Sequence, residues 1–433
     1  MGNYFFKCDI SGIQSFIFNV PSNGAARALK SRSIYVQKIA DDCLKNLKDF
    51  FTGTDAVREL YNGGGNFYLE ISTNKRVAEM EEKVKNISAN YLKKDIYPYI
   101  SFVEKKTNNI SDSLDAVNKK IQLAKMQRPI CFDLLDAKPI QIEEIDIKAI
   151  DGINGQVPNG DFEWIAKHSE GDEKLAALKL DVDNLGYLFR DRSENDYKTL
   201  SKALKDFFDG ELLQLIKDLK MQQNIYCVFS GGDDCFLIGT WEKIFELAIR
   251  LRQKFAEFQR NLKSQVTSLP DTEITFSAGI IVFPSHYPMV QLAVEVEDAL
   301  NESKRATTKN SVTVFGKTLS WKDFDKARQL SATFIALINN PDEIKKESKS
   351  LLQIFRLIYP QKKEIPKVWE LKYYLSRNVK KENKQVVQKI FNDYSQSLLL
   401  KHYNYSGENA ENPDIYLVAS RWAELFMKKN ELK

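Results

Sequence analysis

Residues 229–239 read FSGGDDCFLIG, and upstream residues 178–189 read LKLDVDNLGYLF. In the second stretch an apolar, strand-type run delivers Asp181 into a turn. In the first, β-prone residues flank a Gly-Gly pair, with IYCVF at 225–229 before it and CFLIG at 235–239 after it. Two strands joined by a tight Gly turn make a hairpin. Between these landmarks, DYKTLSKALKDFFDGELLQLIKDL (196–219) sets Leu200, Leu204, Phe207 and Phe208 on one helical face. A further helix, WEKIFELAIRLRQKFAEFQRNL (241–262), and a strand, EITFSAGIIVF (273–283), follow the hairpin.

The same order occurs earlier in the chain. FKCDISGIQSF (6–16) delivers Asp9, NGGGNFYLEIS (62–72) carries a Gly turn, and YISFVEK (99–105) is the closing strand. Asp9 and Gly63 are 54 residues apart, and Asp181 and Gly231 are 50 apart, which marks an internal duplication. The order β-α-β-β-α-β is that of a ferredoxin-like sheet with helices on one face. The expected fold class is α+β: two ferredoxin-like units over residues 1–128 and 173–320, an acidic, Gly/Pro-rich linker over 129–172, and a C-terminal α-helical domain over 321–433. Residues 321–433 carry 21 Lys+Arg against 14 Asp+Glu, so the tail is basic on a near-neutral body.

Composition removes several function classes. With 433 residues, 43% of them apolar and 28% charged, the chain buries sizeable cores as a globular protein. No apolar run approaches the roughly 18 residues of a membrane span. The start MGNYFFKCDISG has no leader pattern, and Phe6 stands where a myristoylation signal needs Ser or Thr, so a cytoplasmic location is expected. Five scattered cysteines without a C-x-x-C spacing argue against disulfides and a zinc site. Three histidines, His168, His286 and His402, are too few and too far apart for an imidazole-rich metal hydrolase.

Asp181, Asp183, Asp233 and Asp234 put four carboxylates on two turns of one sheet. Like charges so placed favour a hard divalent cation, Mg²⁺ or Mn²⁺. Gly231 and Gly232 let the hairpin turn sharply and let a phosphate approach the backbone. Two metals roughly 3.5–4 Å apart clamp the attacking and leaving oxygens of a phosphoryl displacement, so the expected chemistry is nucleotidyl transfer. The first unit has Gly65 and Asn66 in place of Asp233 and Asp234, and Ser11 in place of Asp183. It is expected to bind a nucleotide or to scaffold, not to catalyse.

With these residues in view, the sequence resembles the large polymerase/cyclase subunit of type III CRISPR effector complexes, most of all the Csm (III-A) kind. The resemblance is carried by DISGIQSFIF, ALKSRSIYV, GGGNFYL, LKLDVDNLGYLF, TLSKALKDFF, FSGGDDCFLIG, ITFSAGIIVFPSHYP, NSVTVFGKTLSW and KYYLSR, in that order from Asp9 to Arg377. It implies two facing palm domains of the polymerase/GGDEF type and a helical domain that contacts other effector subunits. It also implies synthesis of cyclic oligoadenylates from ATP, triggered by target RNA bound to the guide RNA.

By that resemblance Asp181, Asp233 and Asp234 hold the metals with the Val182 carbonyl, and a ribose 3′-oxygen attacks the α-phosphate of a second ATP. Ser33 and Ser201 match positions that read adenine. Gly63 and Gly64 are the first unit's nucleotide-binding turn, and Arg27, Lys30, Arg32, Lys304 and Lys309 are candidates to meet triphosphates. Two departures stand out. The chain opens at the first palm and has no His-Asp dipeptide, so no DNA cleavage is expected, and residues 129–172 hold one cysteine, Cys131, so the family's zinc insertion is not expected. Two other readings remain open. One is a stand-alone GGDEF-like cyclase making a guanine dinucleotide, disfavoured by the built-in second palm and by Asp-Asp at the tip. The other is a scaffold whose GGDD is vestigial.

Overall fold

The computed structural model describes residues 1–22, 24–63, 65–91, 96–105, 110–126, 162–190, 192–266, 268–269, 273–307, 309–360, 365–403 and 411–427. Gly64, Cys131 and the linker up to residue 161 lie outside the described residues.

The first unit runs β1 (Gly2–Ser11), α1 (Ile13–Phe18), α2 (Ala25–Phe50), β2 (Ala56–Gly63), β3 (Asn66–Thr73), α3 (Val77–Ala89), β4 (Tyr97–Glu104) and α4 (Ile110–Met126). Its antiparallel sheet has the order β2-β3-β1-β4, with the first strand central. Period-two alternation in β1 sends Phe6, Cys8 and Ile10 into a core shared with Leu29, Val36 and Ile39 of α2. Lys7 and Asp9 therefore face the other side, which α4 partly covers through Val117 packed with Phe5 and Leu60. Helices thus occupy both faces of this sheet.

The second unit runs α5 (Phe162–Lys167), β5 (Leu175–Val182), α6 (Leu185–Phe189), α7 (Glu194–Asp206), a π turn (Phe207–Glu211), α8 (Leu212–Asp218), β6 (Ile225–Gly231), β7 (Asp234–Thr240), α9 (Trp241–Gln265), β8 (Phe276–Phe283), α10 (Met289–Arg305), β9 (Ser311–Val314) and β10 (Lys317–Ser320). The strand order is β10-β9-β8-β5-β7-β6. β8-β5-β7-β6 repeats the first sheet's arrangement, and the hairpin β9–β10 extends it, β9 running parallel to β8. That hairpin was not anticipated from the sequence. Phe315 and Gly316 both take positive φ, 53° and 69°, the requirement of a two-residue type I′ turn, so SVTV-FG-KTLS carried the signal.

The near-continuous apolar run LAALKLDV reflects burial of β5 on both faces. Ala176, Leu178 and Leu180 pack under α7, α8 and α9. Leu175 and Ala177, with Phe236 and Ile238 of β7, belong instead to the first unit's core. Phe18 meets Phe236 with ring centroids 4.6 Å apart, and Tyr226 Oη donates to the Ala26 carbonyl at 2.5 Å. The two units share one apolar interior. Phe162, Ile165 and Ala166 of α5, within the stretch read as linker, are buried there too.

The tail comprises α11 (Trp321–Ile338), α12 (Ser350–Ile358), α13 (Trp369–Asn378), α14 (Lys384–His402) and α15 (Asp414–Met427). Ser320 caps α11 by accepting from the Asp323 amide at 3.1 Å. The tail is not a detached body. Phe324 and Trp422 pack on Phe245 of α9, and Trp321 Nε1 donates to the Phe276 carbonyl at 3.1 Å. Among the described residues no helix is long and apolar enough to cross a membrane.

Candidate functional site

The central strands of the second sheet bring three of the acids together. Asp181 at the end of β5 stands directly opposite Asp234 at the start of β7, so their side chains share a face. Asp233 lies in the turn between β6 and β7, which Gly232 makes possible with a φ of +70°. The Val182 amide donates to the Asp233 carbonyl at 3.1 Å and ties the two turns together.

Asp183 does not join them, contrary to the expectation of four converging carboxylates. It is buried and accepts from Thr275 Oγ1 at 2.7 Å, Ser277 Oγ at 2.8 Å and the Asn310 amide at 3.0 Å. With both oxygens engaged by neutral donors, Asp183 anchors the β5 turn to β8 and to the β9 approach. Just before the Gly-Gly pair, Ser230 Oγ donates at 2.6 Å to the Phe208 carbonyl in the π turn, which fixes the hairpin against the helix bearing Ser201.

Burial and mutual repulsion disfavour the charged acids. Asp233 is pushed up to about 6 by burial and then by Asp181, and Asp234 to about 7 by burial and then by Asp233. Burial also raises Asp181, although Lys304 opposes the shift with its Nζ 2.5 Å from Asp181 Oδ1. Below them, Lys179 is almost fully buried and ion-paired with Glu297, whose carboxylate also accepts from Gln14 Nε2 of the first unit at 3.2 Å. Among the described residues no three acidic, histidine or cysteine side chains already form a cage around one point. The donor set is nevertheless all oxygen, anionic and strained by its own charge, which suits a hard divalent ion. Asp181 is paired with the Lys304 ammonium.

The first unit completes the site. A Cβ on Gly63 would sit 3.5 Å from the Gly232 amide nitrogen, so the two Gly turns abut, and Tyr61 Oη closes over Gly232. Each unit also sends a lysine to the other's backbone: Lys205 Nζ donates to the Asn62 carbonyl at 2.8 Å, and Lys30 Nζ to the Cys227 carbonyl in β6 at 3.3 Å. Beside Asp233 a cavity of about 540 Å³ opens between the units, walled by Tyr61 and Tyr68 of one and by Tyr187, Tyr197 and Ser201 of the other. That volume is in the range of small-molecule sites.

Of the other expected residues, Ser201 lines this cavity and Gly231 ends β6 beside it. Ser33 sits half-buried in the middle of α2 and is not on the cavity wall, and Gly64 is outside the described residues. Lys309 donates to Asn184 Oδ1 at 2.6 Å. Arg32 is turned to the Phe16 carbonyl at 2.6 Å.

The sequence reading missed a second layer of the duplication. In β1, Lys7 Nζ donates to Asn118 Oδ1 of α4 at 2.7 Å, and Asp9 Oδ2 pairs with Lys125 Nζ at 2.9 Å. In β5, Lys179 pairs with Glu297 of α10, and Asp181 with Lys304. Asp9 stands opposite Asn66 as Asp181 stands opposite Asp234. The signal was present: a Lys-x-Asp on each first strand, and an Asn or Glu seven positions before a Lys on each last helix.

A pair of ferredoxin-like sheets, one with a carboxylate-bearing Gly-Gly hairpin at their junction, defines a two-palm architecture. Residues 174–313 match the family model for the second palm domain of Cas10/Cmr2, and residues 3–132 match domain B of the Csm1 subunit. The chain belongs to this Cas10 family and is Csm1-like.

Among its relatives is a Cas10/Csm1 protein of subtype III-A from Enterococcus italicus, named as a CRISPR-system single-strand-specific deoxyribonuclease. It is 24% identical over 73% of this chain and 55% of the relative. A protein of the same name from Methanocaldococcus jannaschii is 32% identical over 37% of this chain and 22% of its own length. The chain spans about half the length of the curated relatives it matches most extensively. A crystal structure of a Csm1–Csm4 cassette in complex with cA4 superposes with a TM-score of 0.69 at 18% identity, covering 98% of this chain and 70% of that one. A cassette in complex with AMPPNP gives 0.67 at 18% identity, covering 97% and 70%.

Proposed function

We propose that this chain is the nucleotidyl-transferring core of a type III-A CRISPR effector complex and that it joins ATP into cyclic oligoadenylates when guide and target RNA are engaged. One observation carries the reading: Asp233 lines a nucleotide-sized cavity to which both palms contribute walls, and Asp181 and Asp234 stand opposite one another on the strands next to it. The family membership supports it, as do structural neighbours crystallised with ATP, AMPPNP, cA3 and cA4.

Asp181, Asp233 and Asp234, with the Val182 carbonyl, would hold Mg²⁺ or Mn²⁺. A pair of such ions supplies charge neutralisation at both oxygens of an in-line displacement. The protein's own part is positioning. Gly232 lets the tip turn sharply beneath Tyr61 Oη, Ser201 and the tyrosine walls accept a nucleoside, and Lys304 on Asp181 and Lys309 on Asn184 are cations beside the β5 turn. The first palm, with Asn66 and Gly65 at its tip, brings a second nucleotide or serves as the wall alone. Attack of one ribose 3′-oxygen on the next α-phosphate expels pyrophosphate, and repetition followed by ring closure gives the cyclic product. Csm4-type and other effector subunits, with both RNAs, are the proposed partners.

The test incubates the chain with each labelled nucleoside triphosphate and Mg²⁺ or Mn²⁺, with and without the partner subunits, guide and target RNA. ATP-specific cyclic products are expected. Turnover of GTP alone would point to a guanine cyclase, and absence of any product together with absence of bound metal would leave only a scaffold.

A further inference from the structure

We infer that Lys304 is a displaceable counter-ion, holding Asp181 while no divalent cation is bound and releasing that carboxylate when one arrives. The inference rests on the metal-dependent reading above and adds a residue that governs how the site loads.

The two lysines near the acids are held very differently. Lys179 keeps 6% of its side chain exposed and is fixed by Glu297, itself bonded to Gln14 across the palm junction. Lys304 sits in the last turn of α10 with 31% of its side chain exposed and reaches Asp181 on a four-carbon stem. Lys179 is a fixed charge of the interior, whereas Lys304 has solvent to move into.

Its charge also falls short of what the site requires. One ammonium offsets one of three clustered carboxylates, and a second cation on Asp181 would be repelled by an ammonium already 2.5 Å from its oxygen. A Mg²⁺ needs oxygen at about 2.0–2.1 Å in near-ideal geometry, so it competes with Lys304 for the same carboxylate. The first palm shows the pair where no such competition arises. There Lys125 holds Asp9 at 2.9 Å, and the facing residue is the neutral Asn66. One lysine against one carboxylate is balanced. Retained beside three carboxylates, the same lysine prevents the empty site from repelling itself and sets a threshold for ion entry.

The experiment measures Mn²⁺ affinity of the full chain by electron paramagnetic resonance without nucleotide. Lys304→Met is expected to bind Mn²⁺ about two- to fivefold more tightly than wild type, the range of a part-exposed ion pair removed from competition. Lys304→Arg keeps the cation and should bind no more tightly than wild type, and Lys125→Met should leave the affinity unchanged. Lys304→Gln repeats the test if methionine disturbs α10, with melting curves reporting the fold. Equal or weaker Mn²⁺ binding in both neutral variants, with wild-type binding intact, overturns this inference alone. Failure of every protein to bind Mn²⁺ overturns the metal-dependent reading and the inference together.

Discussion

In the first palm Lys125 holds Asp9 beside Asn66 and Gly65; in the second, Lys304 holds Asp181 beside Asp234 and Asp233. Strand order, register, the buried-side lysine and the helix that carries its partner are the same in both. What differs is the charge at the hairpin tip and the geometry of the turn. In the first palm Gly65 adopts a φ of +80°, and a Cβ there would lie 2.8 Å from Ile13 Cδ1. The equivalent position in the second palm holds Asp233, with the left-handed residue one place earlier at Gly232. The comparison separates the features that keep a palm folded from those that seat cations.

The largest effect is expected from erasing the difference. Asp233→Asn with Asp234→Asn should lower cyclic product by about a thousandfold or more in the labelled-ATP assay. The melting temperature should hold or rise, since two repelling acids are neutralised. Restoring acid to the other palm should not compensate: Asn66→Asp in that double variant is expected to leave product at background, because Asp233 has no counterpart there. Gly65→Asp, which would supply one, forces a side chain into the left-handed region at a cost of about 1–2 kcal/mol, readable by denaturant unfolding.

A smaller loss should come from the contact between the tips. Gly232→Ala adds a Cβ that runs into Tyr61 Oη at a left-handed φ, so activity should fall about ten- to a hundredfold through misplacement of the turn. Tyr61→Phe should recover part of that loss in a double-mutant cycle, because it removes the colliding hydroxyl but not the backbone strain.

The smallest effect is on pH dependence. Asp233 and Asp234 have folded pKa values of about 6 and 7, above those of unfolded carboxylates near 4. The folded state then binds more protons between those values, so metal-free stability falls as pH rises from about 4 through 7. A melting series should show the metal-free chain losing a few degrees between pH 5 and pH 8. Saturating Mg²⁺ should flatten the series.

Much of this frame was legible in residue order. Strand-delivered acids at a matched distance from Gly turns gave both sheets, and Asp-Asp against Gly-Asn told the two tips apart. Asp183 misled because a carboxylate reads the same whether it faces a cavity or accepts from Thr275, Ser277 and the Asn310 amide. Ser33 rests on the resemblance alone; it lies on α2, off the cavity wall, and helical periodicity does not say which side chain meets a cavity formed by another unit. The tyrosine walls, the lysines that cross between units and the Lys179–Glu297–Gln14 chain depend on how two separately encoded sheets dock. The β9–β10 hairpin is different: the Phe-Gly turn was readable, and its short strands were absorbed into the end of the second unit.

Burial of the second sheet on both faces bears on biosynthesis. The first palm precedes the second in the chain, so its share of the common interior, Phe6, Cys8, Leu29 and Ile39 among it, is made before the second palm's. Ala177, Phe236 and Ile238 of the second sheet complete that interior. Without the first palm these side chains would lie exposed on a strand-rich face, the kind of surface prone to aggregation.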